Sequence, residues 1–124
     1  MHNNDKKQKD NNFLKKIKEL DLKIDAAKAT LKHNNMMKDE LDNINASYNR
    51  CLEILSRSAT GKTINQKYND LYTENRINHI KALDHLDTQS SETQKNIDNY
   101  LDERDILKDK YKEEQEKEKK ESSN

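Results

Sequence analysis

Ser58-Ala59-Thr60-Gly61-Lys62-Thr63-Ile64-Asn65-Gln66 is the stretch that decides the fold. It holds the only glycine of a 124-residue chain that has no proline. A glycine adopts a left-handed backbone without a Cβ penalty, so Gly61 is placed to end one helix. Thr63 followed three residues later by Gln66 reads as a capping box that opens the next. A stop and a start so close together predict a tight helical hairpin. With no other strong turn residue, there is almost nowhere else for the chain to reverse.

On the N-terminal side of this turn, Phe13, Ile17, Leu20, Ile24, Ala27 and Leu31 recur at alternating steps of four and three. That is a heptad seam on one helix face. The phase slips at Asn34 and Asn35. It resumes at Met37, Leu41, Ile44, Tyr48, Cys51 and Leu55, which predicts a stammer, a local over-winding of the coil. On the C-terminal side the line runs Tyr72, Arg76, His79, Leu83, Leu86, Ser90, Thr93, Ile97, Tyr100, Arg104, Leu107 and Tyr111. Five of these positions are polar. Apolar shoulders stand beside the line at Ile77, Ile80, Leu101 and Ile106.

These patterns predict an all-α chain of two long helices in an antiparallel coiled-coil hairpin, with the turn near Gly61. Residues 1–11 are expected to be disordered. Helices are expected over 12–58 and 63–111, joined by a turn at 59–62. A kink is expected at 88–91, where Ser91 and Gln94 resemble a fresh cap. Residues 112–124 read as a fraying helix and disordered tail, because Lys112 to Lys120 is almost entirely charged with no apolar face. Measured outward from Gly61, Asn34 lies about as far as Thr88, and Phe13 about as far as Tyr111, so a hairpin should bring each pair together. The residues up to Lys62 hold 13 Lys and Arg against 9 Asp and Glu, and the remainder hold 11 against 15. Opposite charge balances favour folding back, by a few tenths of a kcal/mol per surface pair.

Composition narrows the function classes. Charged residues make up 39% and hydrophobic ones 30%, too little apolar surface for a closed globular core but enough for narrow helical seams. No stretch is apolar enough to span a membrane. The polar segment from Met1 to Asn11 lacks an apolar core, so no secretory signal peptide is expected. Cys51 stands alone, which suits a reducing compartment, and its place in the seam suggests packing rather than catalysis. Gly61-Lys62-Thr63 ends an eight-residue window that would be a phosphate loop, but Ser56 stands where its first glycine is needed and no strand precedes it. His79 and His85 fall on different faces of a helix, and no residue set has metal-ligand spacing. With zero net charge and no aromatic interleaving there is little drive to bind nucleic acid. No catalytic residue, cofactor, metal or small-molecule substrate is expected.

The two seams are unequal. Each large side chain missing from the second forfeits about 1.5–3 kcal/mol of burial, so the hairpin should gain from a helical partner, either another protein or a second copy. The residues expected at that interface are Leu20, Ile24, Leu31, Met37, Leu41, Ile44, Ile77, Ile80, Leu101 and Ile106, with Gly61 and Thr63 forming the turn.

Two long helices around Ser58-Ala59-Thr60-Gly61, together with the run Leu101-Asp102-Glu103-Arg104-Asp105-Ile106-Leu107, resemble the small helical proteins of type VII secretion. The hairpin plan is that of WXG proteins, and the charge-rich helices are closer to the accessory partners of LXG-domain toxins. The resemblance implies a non-catalytic, chaperone-like targeting factor that binds a secreted protein's helical domain. It also implies a cytoplasmic protein, or one co-secreted by a signal-peptide-independent route. Ala59 stands where the family tryptophan would be, and Tyr68, Tyr72, Tyr100 and Tyr111 each lack the acidic residue four positions on that the export pattern requires. The alternative is a homo-oligomeric structural coiled coil of a secretion apparatus, phage or scaffold.

Overall fold

The computed structural model describes residues 2–58 and 61–122, with side chains from Asp5 onward. Two helices account for nearly all of them: α1, His2–Ser58, and α2, Lys62–Ser122. They pack against each other as an all-α hairpin, as the seams on either side of Gly61 require. Of the expected turn, Ala59 and Thr60 lie outside the described residues.

Gly61 has a φ of 132°, a backbone that L side chains rarely adopt. Its carbonyl accepts the first bond of α2, from the Asn65 amide at 3.1 Å. Gly61 is therefore the N-cap, and Thr63 is already inside the helix rather than capping it from outside. At the end of α1, the Ser58 hydroxyl donates back to the carbonyls of Ile54 (2.8 Å) and Leu55 (3.3 Å), in the last turn.

Three expected boundaries differ. Residues 2–11, expected to be disordered, belong to α1, and residues 112–122 continue α2. These segments lack helix breakers, and Lys6 Nζ lies 3.4 Å from Glu121 Oε2, linking the two. The helical assignment also runs unbroken through 88–91, where a kink was expected. Ser90 there turns inward to meet Asn34, and Ser91, expected to open a new cap, lies exposed within α2.

The chain forms two compact units, Met1–Thr30 with Thr93–Asn124, and Leu31–Glu92. The first has an apolar core: Leu20, Ile24 and Ile97 are buried, with Phe13, Ile17 and Leu107 half-buried around them. The Phe13 and Tyr111 rings meet at 6.3 Å between centroids and a tilt of 59°, as the spacing from Gly61 predicts. Lys23 Nζ sits 5.8 Å over the Tyr100 ring, and Arg104 Nη1 donates to Asp21 Oδ1 at 3.1 Å. The second unit buries one large apolar side chain, Leu52.

Ile97→Ala should therefore cost about 2–5 kcal/mol in chemical denaturation, the usual range for a buried Ile truncated to Ala. Gly61→Ala should cost about 1–3 kcal/mol, all of it from the backbone, because a Cβ there meets nothing within 4 Å.

Candidate interaction surface

In the unit Leu31–Glu92 the seam of α1 runs Asn34, Lys38, Leu41, Asn45, Asn49, Leu52 and Ser56, all buried or half-buried. From Leu41 onward the steps are four, four, three, four. The predicted slip, two consecutive threes at Leu31, Asn34 and Met37, falls on residues that are all buried or half-buried, and the departure from the predicted line begins after Leu41. The reason is helical geometry. A straight helix drifts about 20° per heptad, and consecutive fours follow that drift. Beyond Leu41 the predicted seam is therefore not the buried one: Ile44, Cys51 and Leu55 are exposed, Ile44 by 65% and Leu55 by 54%. Cys51 is not a core residue.

Polar partners hold this register. Asn75 Nδ2 donates to Asn45 Oδ1 at 2.7 Å and to Asn49 Oδ1 at 3.3 Å. Asn34, only 5% exposed, donates from Nδ2 to Ser90 Oγ at 3.4 Å. His79 Nε2 lies 3.1 Å from Asp42 Oδ1, a charged pair when the imidazole is protonated, and Lys38 pairs with Asp87. On α2, Asn75 takes the inward place expected of Arg76, and Tyr68 is more buried than the expected Tyr72. Each hydrogen bond contributes only about 0.5–1.5 kcal/mol net, but an amide facing an aliphatic residue would lose its partner altogether, so the asparagines select register more than they add stability.

The residues expected at a partner interface are divided by this arrangement. Leu20 and Ile24 are buried within the hairpin, and Leu31, Met37, Leu41 and Leu101 are half-buried. Ile44, Ile77, Ile80 and Ile106 are exposed, and so is Thr63. The periodicity did not separate the exposed stripe Met36, Ile44, Tyr48, Cys51, Ile54 and Leu55 from the seam. The signal that could have done so is the recurrence of Asn34, Asn45, Asn49 and Asn75 at positions able to face one another.

No group of three or more His, Cys, Asp or Glu side chains suited to a metal ion occurs among the described residues, and no helix is long and apolar enough to cross a membrane. The concavities are open surface grooves, one of them between Asn49, Leu52, Ser56, Tyr68 and Tyr72. Fold and surface together define a two-helix hairpin with exposed apolar residues on both helices. No protein-family model, curated protein or solved structure matches the chain.

Asn75→Ala should destabilise the hairpin by about 1 kcal/mol, the net yield of a hydrogen bond between half-buried groups. Removing all three amides, with Leu at 45, 49 and 75, should instead raise the thermal midpoint. Hydrogen exchange should be faster in residues 31–92 than around Leu20, Ile24 and Ile97.

Proposed function

We propose that the chain is a non-catalytic accessory or targeting factor for a protein exported by type VII secretion, and that it packs exposed apolar side chains on that protein's helical domain. The observation that carries this reading is the balance of burial. The hairpin buries Leu20, Ile24, Leu52 and Ile97, whereas Ile44, Ile54, Leu55, Ile77, Ile80 and Ile106 stay exposed. A partner helix that covers them supplies burial that α2 does not, at roughly 25 cal/mol per Å² of apolar surface. The two-helix plan supports the type VII assignment through the resemblance noted from Ser58 to Gly61. A role in the cytoplasm before export, or co-secretion with the partner, follows from the same reading.

Ile77 and Ile80 are three residues apart on α2 and each is 47% exposed, which makes them the first contacts to test. Co-expression with the LXG-domain product of a neighbouring gene should yield a stable heteromer. Ile77→Lys combined with Ile80→Lys should weaken it by about a hundredfold, the scale of a lost interface hot spot, while helicity by circular dichroism stays unchanged. A hairpin that remains free in the presence of such a domain would refute the assignment.

A further inference from the structure

A second surface, distinct from Ile77 and Ile80, lies on α1. Met37, Leu41, Ile44, Tyr48, Cys51 and Leu55 alternate by four and three over two and a half heptads. This is the pattern of a coiled-coil seam. Its first two members, Met37 and Leu41, are half-buried in the hairpin, but α2 then packs beside it, on Asn45, Asn49 and Leu52, and leaves Ile44, Tyr48, Cys51 and Leu55 exposed. Met36 and Ile54 widen the stripe, at 55% and 64% exposure. Glu40 and Ser47 complete its rim, so Glu40 is the one charged residue on this face of a chain that is 39% charged.

We propose that this stripe pairs with the same stripe of a second copy, antiparallel, to form a homodimer. Three features favour a copy of this chain as the occupant. The steps four, three, four, three, four read the same in both directions, so a reversed copy meets it in register. Met37 then faces Leu55 of the second copy, Leu41 faces Cys51, and Ile44 faces Tyr48. The rim charges agree with that orientation. Arg50 folds back so that its Nη2 lies 3.3 Å from the Ser47 hydroxyl, at the edge of the stripe. Antiparallel pairing sets each Glu40 near the level of the other copy's Arg50, whereas parallel pairing sets like charges together. The area is also sufficient. Taking about 200 Å² for a large side chain, the exposed residues Met36, Ile44, Tyr48, Cys51, Ile54 and Leu55, roughly half exposed, give about 600 Å² per copy, or about 1,200 Å² across the pair, at the threshold for a specific interface.

The proposal is independent of any exported partner and is tested on the full chain alone. Sedimentation equilibrium should give a dimer. Ile44→Lys and, separately, Leu55→Lys should each raise its dissociation constant by about a hundredfold, with helicity retained because both side chains are exposed in the hairpin. Glu40→Arg should weaken the dimer, and adding Arg50→Glu should restore it. The register places the two Cys51 residues ten positions apart along the helix axes, about 15 Å at the α-helical rise. A bis-maleimide of that reach should link two chains through Cys51, and simple oxidation should not. A monomer at every concentration, or a dimer indifferent to both lysine substitutions, would overturn the proposal. Ready formation of a Cys51 disulfide between copies would overturn the antiparallel register.

Discussion

The side-chain amide of Asn75 donates to both Asn45 and Asn49, and much of the unit Leu31–Glu92 is arranged around that shared bond. An amide in a half-buried seam needs a partner, and only another polar residue supplies one. Three asparagines that satisfy each other fix which face of α1 meets α2. Once that face is fixed, Leu52 goes inside and the apolar line through Ile44 and Leu55 is left outside. Apolar burial alone would have chosen the other face. The unit thus forgoes hydrophobic stabilisation for a defined pairing, a known use of asparagine in helical seams.

The unit made of Met1–Thr30 and Thr93–Asn124 works differently. Leu20, Ile24 and Ile97 give it a conventional apolar core, and the polar members of its seam are paired as well, Arg104 with Asp21. Among the described residues one buried side-chain atom there lacks a hydrogen bond: Arg104 Nε lies 3.9 Å from Asp105 Oδ1, within ion-pair range but too far to donate. Its Nη1 bond to Asp21 anchors the guanidinium in spite of this. The contrast in composition between the two units implies a contrast in local stability, because apolar burial near 1.5–3 kcal/mol per large side chain exceeds the net yield of a typical hydrogen bond.

The hairpin itself was legible in the sequence. A single glycine between two seams, with no proline anywhere, leaves one economical topology; equal spacing from Gly61 matched Phe13 with Tyr111 and set Asn34 opposite Thr88, two residues from its partner Ser90. The apolar seam from Phe13 to Leu31 was readable for the same reason: period and hydrophobicity agree there. Beyond Leu41 they part. Hydrophobic periodicity points to Ile44, Cys51 and Leu55, while the buried positions are decided by amide pairing across the hairpin, an interaction that needs both helices to be considered together. The N-terminal helical end was missed, and the C-terminal helix read only as fraying, because charge-rich sequence without an apolar face looks disordered, although Lys and Glu are strong helix formers.

The register is the claim on which the exposed stripe depends, and cross-linking measures it most directly. In a Cys51→Ser background, Asn45→Cys with Asn75→Cys should oxidise readily to an intramolecular disulfide, while Ile44→Cys with Arg76→Cys should not. Preferential bridging between positions 44 and 76 would place the apolar line inside the hairpin and contradict the account.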